Sequence, residues 1–599
     1  MNDRSASLSL VVTRRAGFAG LTALAFTAWL AFGTSLSAQA PALQDFAPSA
    51  GARIQPVDAR QGMVVAQESR AARIGVEFLQ KGGNAVDAAV ATGFALAVTY
   101  PRAGNIGGGG YMVIHLASES GRGGGVYGAT RAIDYRETAP AATTRDIFLD
   151  DKGEADPKKS RDSALAIGVP GTVAGLALAH AKYGSQKFTL AELIAPAIRL
   201  AREGFPIEDD VADSLPRAKA RLERWPSSAK IFLKDDGRPL GPGATLVQSD
   251  LADTLAAIAR DGPKAFYEGA IAEKVVAAVR DAGGLMTSDD LKSYQAIDRE
   301  PLRGSYRGYD IVSMPPSSSG GAILIEILNI LEGYPDFAAD DTRRVHLVVE
   351  AMKLAYADRA TFFGDPASVD IPLTRLISKP YADELRRRID AAKARPARDL
   401  IGATPREGDN TTHFSVVDRF GNAVSNTTTL NFSYGLGLVA EGTGILLNNE
   451  LDDFAAKPGA PNAFGLLGGE ANAPGPGKRP LSSMSPTIVL KDGKPFLVTG
   501  SPGGSRIITA VLQVISNVID RNMPIEAAVA DPRLHHQWFP DEVSVERGFS
   551  RELMRALEAR GHKVVERAPG TSANSILVTP GGFVGAADNR TRGALAAGY

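Results

Sequence analysis

The chain has no cysteine in 599 residues. That excludes disulfides, thiolate metal sites and cysteine nucleophiles together. Neither sign of charge is in excess: the formal net charge is −1. With no long basic run either, no electrostatic footprint for a nucleic-acid partner exists. Beyond the N-terminus no stretch is apolar enough to span a bilayer. Gly107-Gly108-Gly109-Gly110 has no Gly-Lys-Ser/Thr after it. A phosphate loop is thereby rejected, which leaves tight turning or close backbone approach. No Gly-x-Ser-x-Gly elbow occurs, so a Ser-His-Asp triad has no nucleophile. His535-His536 also lack a carboxylate or cysteine at zinc-like spacing. His413, His535 and His536 are therefore expected to be structural, and no internal repeat is present.

The N-terminus is informative by what it holds. Arg14-Arg15 precede an apolar run from Ala16 to Phe32, and Ser35-Leu36-Ser37-Ala38-Gln39-Ala40 follows. Positive, apolar and small-residue parts in that order predict a secretory signal peptide over 1–40. The mature protein is then exported, most simply to a bacterial periplasm, with no membrane segment after signal removal. Pro41 to Pro56 reads as a loose lead-in.

Up to about residue 394 the chain is mostly helical with some strands. Apolar periodicity predicts helices over Ser69–Leu79, with Ser69 as cap, and over Asn84–Thr99, apolar nearly all round. Further helices are expected at Pro170–His180, Thr189–Glu203, Asp250–Arg260, Ala270–Ala282, Gly321–Leu331, Arg343–Ala360 and Ala382–Ala394. Tyr111–Leu116 and Ile133–Glu137 read as strands. Residues 395–410 lose periodicity and end in Glu407-Gly408-Asp409-Asn410, an expected exposed linker. Beyond it strands dominate, with hairpin turns at Lys491–Lys494 and Thr579–Gly582. Ser505–Arg521 and Ser550–Arg560 are expected helices.

The chain is organised around the stretch after that linker. Thr412, Phe414 and Val416 alternate with Thr411, His413, Ser415 and Val417, which is the period of a strand. Asp418 to Asn422 reads as a turn and Ala423 to Leu430 as the returning strand. A threonine pair thus opens a strand directly after Asn410. Threonine is a poor nucleophile unless a base takes its proton, and its own α-amino group can be that base. A free α-amine has a pKa of roughly 7.7–8.0, so it is partly neutral at working pH. Such an amine exists at Thr411 only after cleavage between Asn410 and Thr411.

The stretch Asn410-Thr411-Thr412-His413-Phe414-Ser415-Val416-Val417-Asp418 resembles the processing site of the γ-glutamyltranspeptidases, which are N-terminal nucleophile hydrolases. Three more motifs continue the resemblance in order: Gly444 to Phe454, Lys478 to Thr487, and Gly500-Ser501-Pro502-Gly503-Gly504-Ser505-Arg506. It runs from about Arg53 to Tyr599.

The resemblance implies an α+β fold, an αββα sandwich of two sheets between helix layers. It is built jointly from a large subunit, 41–410, and a small catalytic subunit, 411–599, that remain together as a heterodimer. It implies Thr411 as nucleophile, first on the Asn410 carbonyl and then on substrate, with Thr429 holding it in place. The backbone N–H groups of Gly503 and Gly504 would stabilise the tetrahedral oxyanion. Arg136, Ser482 and Ser483 would bind the α-carboxylate of a γ-glutamyl donor, and Asn431, Glu450 and Asp453 its α-ammonium. Glu450 stands where some relatives carry Gln. Pro458 to Gly469 resembles a lid loop, with Phe464 where several relatives have Tyr. The missing hydroxyl would weaken closure and favour water as acceptor. Implied donors are glutathione and other γ-glutamyl compounds; implied acceptors are water, amino acids and peptides. No cofactor and no metal is implied. Two rival readings remain: a glutaryl or cephalosporin acylase of the same superfamily, and an inactive exported binding protein that kept the fold.

Overall fold

The computed structural model describes residues 53–117, 129–397, 411–459 and 468–599. The expected signal peptide, Asn410 and Phe464 lie outside these residues.

Two seven-stranded antiparallel sheets form the centre. The first runs, edge to edge, Leu595–Gly598, Gly62–Ala66, Thr411–Asp418, Ala423–Thr429, Gly109–His115, Thr130–Asp134 and Ile297–Arg299. The second runs Val57–Ala59, Gly582–Ala586, Ser575–Thr579, Lys494–Thr499, Thr487–Lys491, Tyr309–Ser313 and Leu302–Tyr306. Both draw strands from either side of position 410. The expected turns at Lys491–Lys494 and Thr579–Gly582 join neighbouring strands.

The strand period sorts side chains between two cores. Val64, Ala66, Phe414, Val416 and Val424 point to one core, shared with the helices Ser69–Gln80, Ala85–Thr99 and Thr172–Tyr183. Met63, Val65, Val113 and Val417 point to the other, where they meet Val312, Ile488, Val498 and Ile576 of the second sheet. The far face of the second sheet is covered by Gly320–Glu332, Asp341–Phe362 and Arg506–Ile519. Helices, sheet, sheet and helices are the four layers of an αββα sandwich.

Most helices lie within a few residues of expectation, and their caps explain where they start. Asn84 and Asp87 form a reciprocal capping box ahead of Ala85–Thr99, and Thr189 with Glu192 do the same for Leu190–Glu203. At the first helix the cap is Glu68, whose carboxylate accepts from Ala71 N, and not Ser69. The largest departure is the helix expected over Ala382–Ala394, which is Lys379–Arg386. Beyond it the backbone carbonyls are taken by side chains of Asp341–Phe362: His346 Nε2 bonds Asp390 O at 2.8 Å and Lys353 Nζ bonds Arg395 O at 2.6 Å. Tertiary bonds to those carbonyls replace the helix's own. The strand expected over Ile133–Glu137 is Thr130–Asp134, leaving Arg136 just past its end.

Candidate active site

Thr411 is the first residue of its strand, and its register partner in the hairpin is Thr429. Thr412 and His413 are fully buried, whereas Thr411 keeps 6 % exposure. By the strand period Thr411 shares the inter-sheet side with His413, Ser415 and Val417. Among the described residues its hydroxyl makes no hydrogen bond.

His413 beneath it is locked. Its ring bonds Thr427 Oγ1 at 2.9 Å and Ser415 Oγ at 3.1 Å. A β-carbon at Gly500 would lie 2.4 Å from His413 Nδ1, so the ring fills the space that glycine leaves. Burial holds its pKa down at about 3, so it is a neutral structural group. His535 bonds Gln537 and Thr509, His536 accepts from Trp538 N, and burial lowers the pKa of both rings.

Because Gly500 packs on His413, the strand Lys494–Thr499 delivers the next loop to Thr411's end of the sheet. Gly503 has φ +126° and Gly504 φ +54°. A β-carbon at Gly503 would sit 2.5 Å from Gly570 O, so conformation and space both require glycine. The two carbonyls start the helix Arg506–Ile519 through Arg506 N and Ile507 N. Among the described residues neither glycine N–H has an acceptor, as at any helix start. Such N–H pairs can stabilise an oxyanion.

The glycine run also acts through close approach. β-Carbons at Gly108 and Gly110 would lie 2.2 and 2.4 Å from Thr429 O and Thr427 O. One at Gly109, the register partner of Thr429, would lie 2.6 Å from Glu137 Oε2. The run therefore seats a carboxylate against the Thr411–Thr429 hairpin.

That carboxylate belongs to a buried charge cluster. Arg136 is fully buried; its guanidinium donates to Glu450, Asp453 and the Pro480 carbonyl, with Glu137 Oε2 at 3.8 Å. Burial raises the carboxyl pKa of Glu450 and Asp453, and the Arg136 cation pulls both back down. Burial pushes Glu137 up to about 7, against the same cation. Neither Glu137 oxygen has a hydrogen-bond partner among the described residues, nor does Glu450 Oε2. Three carboxylates share one guanidinium. When ionised they leave net negative charge that an added ammonium would neutralise.

The remaining expected residues join this cluster through short links. Asn431, at φ +74°, turns the chain so that its N–H donates to Thr429 Oγ1 and its Nδ2 to Asn449 O, both at 2.8 Å. Asparagine is among the few residues that tolerate that backbone. Ser482 accepts at its carbonyl from Ser319 N and donates its N–H to Ser317 O. Ser483 Oγ accepts from Arg359 Nη2 at 3.0 Å, and Arg359 Nε reaches Ser319 Oγ at 2.9 Å. Thr411, Thr429, Asn431, Glu450, Arg136 and Asp453 thus form one connected neighbourhood, with Ser482-Ser483 beyond Pro480.

Sequence reasoning missed two members. Glu137 directly follows Arg136, and only its burial without a hydrogen-bond partner among the described residues distinguishes it. Arg359 lies on a long helix with no local signal, 124 residues from the serine it positions.

A family model described as gamma-glutamyltranspeptidase matches residues 71–598. The glutathione hydrolase proenzyme of Escherichia coli (strain K12) is 50% identical over 550 residues, 91% of this chain and 93% of that protein. The acylase ACY 1 proenzyme of Pseudomonas sp. (strain V22) is 39% identical over 552 residues, 90% and 94% of the two chains. Among solved structures, cephalosporin acylase from Bacillus halodurans superposes with a TM-score of 0.78 at 28% identity, covering 92% of this chain and 97% of that one. Its fold, its Thr-opened hairpin and these matches together mean that the chain belongs to the γ-glutamyltranspeptidase family.

Proposed function

We propose that the chain is a proenzyme that cuts itself between Asn410 and Thr411 and then transfers γ-glutamyl groups. The Thr411 hydroxyl attacks the Asn410 carbonyl, and the C–N bond breaks as the ester forms, which frees the Thr411 amine; water then hydrolyses the ester, releasing the Asn410 carboxylate and restoring the hydroxyl. In turnover that amine takes the hydroxyl proton while the oxygen attacks the γ-carbonyl of glutathione or a related amide. Charge developing on the carbonyl oxygen is met by the N–H groups of Gly503 and Gly504. Loss of one such donor typically costs about 10²–10³ in rate. The amine leaves with the proton, and the γ-glutamyl ester on Thr411 passes to water, an amino acid or a peptide. The two pieces, 41–410 and 411–599, stay together as a heterodimer because their strands alternate within both sheets. The segment 1–40 directs export to the periplasm or beyond and is removed. No described helix is long and apolar enough to cross a membrane.

The observation that carries this reading is the cluster of Glu137, Glu450 and Asp453 around Arg136. An acyl chain bearing both an α-carboxylate and an α-ammonium satisfies it: the carboxylate shares Arg136 and the Ser482 and Ser483 hydroxyls, and the ammonium meets the carboxylates beside Asn431. A glutaryl chain has the carboxylate only and would leave the excess negative charge unmet. The likeness to two acylases makes glutaryl amides the second reading. The test is kcat/KM for γ-glutamyl-p-nitroanilide against glutaryl-p-nitroanilide. The proposal expects γ-glutamyl to lead by at least about 10²-fold, the worth of roughly 3 kcal/mol from a buried charge pair. Preference for glutaryl would reverse it.

A further inference from the structure

The helix Asp341–Phe362 carries His346 and Glu350 one turn apart, on one face. His562, just after Arg551–Ala559, comes to the same point. One ligand atom from each of the three lies within 4.8 Å of the others, and all three residues are buried. None of them belongs to the neighbourhood of Thr411 described above.

The hydrogen bonds decide which atoms are free to bind. His346 Nε2 lies 2.8 Å from Asp390 O. A carbonyl only accepts, so the proton of His346 sits on Nε2 and its Nδ1 carries a bare lone pair. That lone pair faces His562 Nε2 at 2.8 Å, and Glu350 Oε1 lies 3.8 Å from the same Nε2. Two imidazole nitrogens and a carboxylate therefore converge. A metal-binding histidine normally has its other N–H held by a carbonyl or carboxylate, and Asp390 O does this for His346. Glu350 Oε1 also receives Lys353 Nζ at 2.6 Å. Lys353 donates in turn to Arg395 O, and a carboxylate has a second oxygen for a further partner.

We propose that His346, Glu350 and His562 form a binding site for a divalent transition metal, zinc being the best match to two histidines and a carboxylate. Binding takes the neutral His562 ring to its other tautomer, with the proton on Nδ1 and the Nε2 lone pair on the ion, so no net proton is lost. At Zn–N distances of about 2.0–2.1 Å, tetrahedral geometry sets the two nitrogens about 3.3 Å apart, so they separate by about half an ångström. Water fills the fourth position. The ion joins helix Asp341–Phe362 to His562 across the cleavage point, and Asp390 and Arg395 anchor the stretch that leads toward Thr411. That linking role rests on the processing proposed above; the site itself does not.

The test is zinc stoichiometry after chelator treatment and dialysis against micromolar zinc, on the full chain and on uncut Thr411→Ala. Cobalt is substituted in parallel for its tetrahedral visible absorption. His562→Gln keeps a donor for His346 Nδ1 and removes the ligand; Glu350→Gln is the second variant. The proposal expects one zinc per chain in wild type and in Thr411→Ala, and at least tenfold weaker binding in both ligand variants. It also expects a thermal midpoint that zinc raises in wild type and Thr411→Ala and leaves unchanged in the two ligand variants. Wild type binding no more zinc than His562→Gln and Glu350→Gln, with all proteins folded by circular dichroism, would overturn it.

Discussion

Replacing Glu137 with glutamine keeps its shape and removes its charge. Glu137 is fully buried without hydrogen-bond partners among the described residues, and burial raises its pKa from 4.5 to about 7. A carboxyl raised in the folded state costs no stability below its unfolded pKa. The cost grows as pH climbs to the folded value and is constant beyond it. Between 4.5 and about 7, at about 1.4 kcal/mol per pH unit, it reaches roughly 3 kcal/mol. An unfolding entropy of about 2.1 cal/mol/K per residue over roughly 550 residues makes this about 3 °C. Glu137→Gln should therefore melt about 3 °C above wild type at pH 8 and together with it near pH 4.5. In the proposed binding mode the same substitution removes one of three carboxylates that meet the donor's ammonium. Donor KM at pH 8 should rise at least about tenfold, given a few kcal/mol for a charge pair at about 5 Å and an effective dielectric of about 20. The increase of kcat with pH should survive, because the proposed base is the Thr411 amine. Scanning calorimetry at the two pH values and initial-rate kinetics give both readings. A melting difference equal at pH 4.5 and 8, or an unchanged donor KM, would refute the reasoning.

Other perturbations separate the parts of the site. Arg136→Lys cannot serve Glu450, Asp453 and Pro480 O at once, because a lysine offers one point charge instead of a planar fork; donor KM should rise at least about tenfold with less change in kcat. Gly503→Ala forces a side chain to 2.5 Å from Gly570 O at φ +126°, and kcat should fall about 10²–10³-fold as the N–H pair is displaced, read by single-turnover release of the leaving amine. Arg359→Met releases Ser483 and Ser319 and should raise donor KM while self-cleavage, followed by gel electrophoresis, proceeds.

The hairpin from Thr411 to Thr429 was legible because its strands alternate strictly and a polar turn separates them. The glycine runs were legible as points of close approach, although not what they approach. Arg136, Glu450 and Asp453 were legible only through family motifs, since more than 300 residues separate the partners. Periodicity alone gives no sign that they form one cluster, or that Glu137 lies buried beside it. The helix expected over Ala382–Ala394 failed for a related reason. Local propensity favours it, but His346 and Lys353 claim the carbonyls of Asp390 and Arg395 from a distant helix. His346 and His562 escaped notice too, because they meet only in three dimensions.

The central claim is that Thr411 becomes an N-terminal nucleophile by its own action. It is tested most directly by intact masses of the purified protein under denaturing conditions, beside Thr411→Ala. The account predicts two chains for wild type, the smaller beginning at Thr411, and one uncut chain for the variant. A single uncut wild-type chain, or a variant cut at the same bond, would contradict it.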